Sequence, residues 1–134
     1  MIRALVMTHG NIGGELVRVV ELILGPVSGL TAISNSGKSG IELQEDVKTL
    51  LDAGETDLVE ANMGEIILID DYAGSCAHAA QIACGENSNR SIISGVNLAM
   101  TLGYVTWRDE LDHVELVAKL VQKGREAVTL VGGR

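Results

Sequence analysis

Apolar runs of strand length alternate along this chain with segments of helical period, and that alternation restricts the fold more than any other feature. Residues 2–7 read as a buried strand. Leu16, Val19, Val20 and Ile23 then place an apolar stripe on a helix that Gly25-Pro26 ends. Residues 31–34 make a second short strand, and Leu43, Val47, Leu50 and Leu51 mark a second helix stopping near Gly54. The clearest central strand is Ile66-Ile67-Leu68-Ile69 within Glu65 to Asp71, followed by a small-residue helix from about Ser75 to Cys84. Ser91 to Val96 forms another strand, a short helix follows around Leu98 to Gly103, and Leu111, Val114, Ala118 and Val121 mark a longer helix. Ala127 to Val131 is expected to be a last strand. Strand and helix in strict alternation, with short connections, predict an α/β fold: a mostly parallel central sheet of order near 2-1-3-4 with helices on both faces.

The chain has 134 residues and 46% hydrophobic residues, enough for a single domain over 1–134 with its own core. Aromatic residues make up 2%, with no Phe, so that core is built from Val, Leu, Ile, Ala and Met. A formal net charge of −8 opposes binding to nucleic acid or to an anionic membrane surface. The apolar stretch before His9 is too short for a secretory signal, so a cytoplasmic protein without membrane insertion is expected. Cys76 and Cys84 stand about 12 Å apart along one helix, too far for a disulfide, and read as reduced, buried thiols.

In a sheet of this order the functional groups collect at the carboxyl ends of the strands, where strand order reverses. His9 directly follows the first strand, in Thr8-His9-Gly10-Asn11-Ile12-Gly13-Gly14, and Asp70 ends the third, so the reversal brings them to one crevice. A carboxylate accepting a hydrogen bond from one ring nitrogen fixes the tautomer and leaves the other nitrogen as a nucleophile. The glycines after His9 lead into a helix whose first amides can hold phosphate oxygens. The His-Gly pair by itself equally suits a histidine satisfied by local hydrogen bonds.

A second signal competes. Ala32-Ile33-Ser34-Asn35-Ser36-Gly37-Lys38-Ser39 fits a relaxed phosphate-loop pattern, and Lys38 would be its phosphate ligand. The bland alternative is a turn in which Ser39 caps the next helix. Cys76 and His78 at i and i+2 face different ways and make no metal pair, and His113 sits in a charged run from Arg108 that reads as a solvated face. No metal or cofactor is expected.

Three ordered motifs, Thr8-His9-Gly10, Leu68-Ile69-Asp70-Asp71-Tyr72-Ala73-Gly74-Ser75 and Gly95-Val96-Asn97, together resemble the enzyme IIA component of the mannose-type sugar phosphotransferase system. The likeness runs over essentially the whole chain, including Gly124-Arg125-Glu126. It implies that His9 is the phosphorylated histidine, taking its phosphoryl group from phospho-HPr and passing it to an enzyme IIB domain, while Asp70 orients the imidazole; since no linker follows in this sequence, a separate enzyme IIB protein is the expected acceptor. Gly10, Asn11 and Ser75 would lie against the phosphate. It also implies a homodimer that exchanges the C-terminal strand between subunits. The chain departs from the family pattern at Cys76 and Ala99, where proline is common; these are loop positions on the active face, so the partner surface is expected to differ from that of a sugar-transporting member. A phosphorylation-switched regulatory module without sugar transport is the alternative reading.

Overall fold

The computed structural model describes residues 1–55 and 63–133. In chain order its elements are β1 (Arg3–Thr8), α1 (Ile12–Leu24), β2 (Leu30–Ser34), α2 (Gly40–Glu55), β3 (Glu65–Ile69), α3 (Ser75–Cys84), β4 (Arg90–Ser94), α4 (Leu98–Trp107) and α5 (His113–Glu126). The four strands form one sheet of order β2-β1-β3-β4, parallel throughout. This is the order expected from the sequence, and it makes β1 and β3 neighbours, with Met7 opposite Ile69.

Both faces of the sheet are buried, which is why the central strands carry unbroken apolar runs instead of alternating ones. Leu5, Met7, Ile33, Ile67 and Ile69 point to one face and pack under α2 and α3. Ala4, Val6, Leu30, Ile66, Leu68 and Ile93 point to the other and meet α1, α4 and α5. On the first face Ala77, Ala79, Ala80 and Ala83 of α3 are buried, so that helix lies close to the sheet. On the second, Tyr104 is fully buried, and its hydroxyl donates to the Ile2 carbonyl at 2.6 Å. A buried phenol needs such a partner, and this one ties α4 to the start of β1.

Local signals end the helices where chain direction must change. Gly25 closes α1 at a φ of 85°, a conformation that costs a residue with a Cβ. Asp112 and Glu115 form a reciprocal capping box at the start of α5.

Several expectations need correction. Ala127 to Val131 forms no strand. Instead α5 runs to Glu126, and Val128, Leu130 and Val131 lie exposed beyond it, making none of the ladder hydrogen bonds to the edge strand β4 that a strand requires. Helix α2 continues through Gly54 to Glu55. Ile23 and Leu50, counted in the apolar stripes, fall at their margins and are exposed. Nor is the run from Arg108 wholly a solvated face: Arg108 is buried, with its guanidinium donating to Tyr104 Oη, and Asp112 caps α5. Among the described residues, no helix is long and apolar enough to cross a membrane.

Candidate functional site

At the carboxyl end of β1 the chain must turn from a fully buried strand into α1 within three residues. Thr8 makes this possible. Buried itself, it accepts the Gly13 amide on Oγ1 at 2.8 Å and, on its carbonyl, the Asn35 amide at 3.2 Å. Gly10 takes a φ of 55° and donates its amide to Asn35 Oδ1 at 3.2 Å. The loops after β1 and β2 are thus tied together, and His9 is held at their crest.

Asp70, directly after β3, fixes the histidine twice. Its Oδ2 accepts the His9 backbone amide at 3.0 Å and lies 2.9 Å from His9 Nδ1. Its Oδ1 accepts the Asp71 amide at 3.0 Å. Burial pushes the Asp70 carboxyl upward, but the His9 amide and ring together outweigh that and hold it below the usual aspartate value. The carboxylate form therefore prevails at neutral pH, and it is the form that accepts an Nδ1–H.

The other ring nitrogen faces the start of α3. A Cβ added at Gly74 would lie 3.8 Å from His9 Nε2, and Gly74 adopts a φ of 91°. Glycine here serves both the backbone turn and the open approach to Nε2. The His9 side chain is 48% exposed against 16% for Asp70, so the orienting group is sheltered while the oriented one is reachable.

Of the site residues expected from sequence, His9 and Asp70 are in direct contact. Gly10 and Asn11 follow His9, with Asn11 at the N-cap position of α1, where its side chain makes no capping hydrogen bond. The first turn of α1 thereby keeps donors for an anion. Ser75 is exposed as the first residue of α3, just beyond Gly74.

The competing phosphate loop is otherwise engaged. Lys38 Nζ pairs with Asp46 at 2.8 Å, and Ser39 Oγ accepts the Glu42 amide at 3.1 Å, capping α2. Asn97 is structural too, its Oδ1 capping α4 at Met100 and its Nδ2 donating to the Gly124 carbonyl.

Sequence reasoning gave Asn35 no place at this site, and gave Gly74 and Cys76 only as positions on the active face by resemblance, without a role beside His9. Cys76 Sγ lies with ligand atoms of His9 and Asp70 in a group spanning no more than 4.8 Å. Burial first, and then the Asp70 charge, push its thiol up, against a hydrogen bond with Ser75. As expected, Cys76 and His78 face apart, Cys76 inward and His78 outward. The signal that could have found the cluster was the strand order, which brings the start of α3 to the same crevice as His9.

Comparison with known proteins bears on the family and the fold. The family model described as the PTS system fructose IIA component matches residues 3–121. Phosphotransferase component EIIA from Streptococcus agalactiae shares the fold at 24% identity and a TM-score of 0.78, covering 97% of each chain. The mannose/sorbose specific IIA subunit from Enterococcus faecalis does so at 21% identity and a TM-score of 0.82, over 99% of this chain and 96% of that one. A IIA protein associated with the fucose utilization operon of Streptococcus pneumoniae is 20% identical, with a TM-score of 0.80, over 98% and 96%. No curated protein matches the sequence significantly. The chain belongs to the EIIA-man family, the mannose- and fructose-type IIA components of the sugar phosphotransferase system.

Proposed function

We propose that this IIA component is a phosphocarrier that accepts a phosphoryl group on His9 Nε2 from phospho-HPr and passes it to a separate enzyme IIB protein. The observation that carries the reading is the His9–Asp70 contact of 2.9 Å at Nδ1, with Nε2 turned to the open side at Gly74. With its proton on Nδ1 and held by the carboxylate, the imidazole presents a lone pair at Nε2. That nitrogen attacks phosphorus in line. The N–P bond to the HPr histidine breaks as the new one forms, and the donor imidazole leaves with the electron pair. Little covalent work falls to the rest of the site, which positions the group and stabilises its charge. Gly10 and Asn11 at the start of α1, and Ser75 at the start of α3, would line the phosphoryl oxygens. No metal or nucleotide takes part in this step.

The whole chain 1–134 acts as one carrier unit in the cytoplasm. It works as a homodimer in which the C-terminal segment is exchanged: β4 is an edge strand of the described sheet, and Val128, Leu130 and Val131 stand exposed after α5 without pairing to it. Cys76 and Ala99 alter the face offered to the acceptor.

The test is phosphorylation with phosphoenolpyruvate, enzyme I and HPr, comparing wild type with His9→Ala. Acid-labile label on wild type only is expected. No label on folded wild type, with HPr from the same source, would overturn the carrier reading. Label that no IIB protein removes would instead favour a regulatory switch.

A further inference from the structure

Phosphoryl transfer has no use for the thiol beside His9. A ring nitrogen of His9, a carboxylate oxygen of Asp70 and Sγ of Cys76 nevertheless lie within 4.8 Å of one another. They arrive from three places in the chain: the loop after β1, the residue after β3 and the first turn of α3. Each is held by its own element, Asp70 by two backbone amides and Cys76 by full burial against the sheet. The group is closed on the Cys76 side and open at His9, which is half exposed. Among the described residues, no other group of three His, Cys, Asp or Glu side chains is drawn together in this way.

One nitrogen, one oxygen and one sulfur donor suit a borderline-soft divalent ion. Calcium and magnesium prefer all-oxygen shells, whereas three mixed ligands with an open side match zinc holding a fourth position for water. We propose that His9, Asp70 and Cys76 bind Zn²⁺ and that the bound ion shuts off phosphoryl acceptance at His9; the second half rests on the carrier reading given above.

The chemistry needs no oxidant. The Cys76 S–H bond is replaced by an S–Zn bond, and the proton goes to solvent. A neutral imidazole has one proton and one ring lone pair. When zinc takes Nδ1, displacing the hydrogen bond to Asp70, the ring proton resides on Nε2 and the attacking pair is gone. When zinc takes Nε2, the ion itself occupies the attacking position. Either geometry removes the nucleophile.

The site is tested first without any phosphoryl donor. Zn²⁺ is titrated into the full-length chain against a chromophoric chelator for wild type, Cys76→Ala, Cys76→Ser, His9→Ala and His78→Ala. Wild type and His78→Ala are expected to bind a single equivalent with equal affinity, and the Cys76 and His9 variants to bind about 100-fold more weakly. His9 is exposed, so its variant folds whatever becomes of the buried Cys76. Co²⁺ in place of zinc should give a thiolate charge-transfer band with wild type that Cys76→Ser lacks. Equal affinities throughout, or no binding by wild type, would overturn the site.

Purified phospho-HPr, free of enzyme I, is then mixed with wild type, the two Cys76 variants and His78→Ala, with and without Zn²⁺. The readout is the ratio of the two rates, so changes in basal labelling cancel. A ratio of tenfold or more for wild type, reversed by a chelator and near unity for Cys76→Ala, is expected. Zinc that binds without slowing transfer would overturn the regulation. No labelling without zinc would sink the carrier reading, while the titration would still judge the site.

Discussion

Both ends of the parallel sheet carry charged side chains, and they use them differently. At the amino end, Glu65 lies between Arg3 at 2.8 Å and Arg90 at 3.4 Å, and Arg90 reaches on to Asp52 at 3.2 Å. Arg3 also donates to the carbonyls of Leu50 and Leu51, and Arg90 to that of Ala83. A cavity of about 280 Å³ opens there, lined by Arg3, Leu5, Gly29, Leu51 and Glu65 among others. At the carboxyl end, Asp70 is likewise committed, to two amides and to His9 Nδ1, but the histidine it holds keeps Nε2 for something else. The amino end thus holds a cavity among saturated ion pairs, and the carboxyl end holds the reactive group. Concavity alone does not make a site; a group with one valence fixed and the next unspent does.

Breaking the carboxyl end should therefore abolish chemistry and cost the fold little. His9→Ala is expected to lower labelling by phospho-HPr by more than about 1000-fold, with thermal unfolding within about 1 °C of wild type because the side chain is exposed. Residual labelling of the variant at a tenth of the wild-type rate would move the nucleophile elsewhere. Asp70→Asn comes next, at about 100-fold or more in rate, since the amide can present the wrong partner to Nδ1 and so the wrong tautomer. Unaltered single-turnover kinetics in Asp70→Asn would remove its orienting role.

The amino end should answer in the opposite currency. Glu65→Gln removes the charge shared by two guanidiniums, one of them only 6% exposed, and should destabilise by about 3 kcal/mol. For a chain of this size that is a fall in Tm of about 10 °C. Labelling of the folded variant should persist, because no hydrogen bond of the His9 loop involves Glu65. Lost labelling below the transition would show that the two ends are coupled and that the contrast fails.

How far the sequence foretold each end follows from the kind of interaction involved. The strands β1 and β3 were legible because burial on both faces leaves runs such as Ile66-Ile67-Leu68-Ile69 with no polar break. The His9–Asp70 contact was legible one step later, through strand order, since it requires only that β1 and β3 be neighbours. The side chains that close the amino end were not, because Arg3, Asp52, Glu65 and Arg90 look like ordinary surface charges until the sheet register sets Glu65 opposite both arginines. Cys76 was read as a buried thiol of its own helix and, by resemblance, as a position on the active face, but local spacing does not show how near its sulfur comes to His9. The segment 127–131 has strand composition, but composition cannot say whether a strand edge is there for it to pair with. Gly54 failed as a stop because one glycine costs a helix only about 1 kcal/mol.

The smallest expected effect lies in how acid acts on the carboxyl end. Asp70 has a folded pKa below its ordinary value of 3.8, so on acidification the unfolded chain takes up this proton first. The stability it contributes is fully present above that value and is lost as the pH falls through the lower, folded one. Asp70→Asn lacks the ionisation, so its urea midpoint should lie below that of wild type at about pH 6 and approach it as the pH drops below about 4. The gap at the higher pH should be smaller than the one produced by Glu65→Gln, because the Asp70 contacts open to solvent on the His9 side and are partly screened there. A gap that stays constant from neutral to acid pH would mean that Asp70 holds His9 equally well when protonated. Its carboxylate would then serve only the tautomer of the nucleophile, and the division between a stabilising amino end and a reactive carboxyl end would be sharper still.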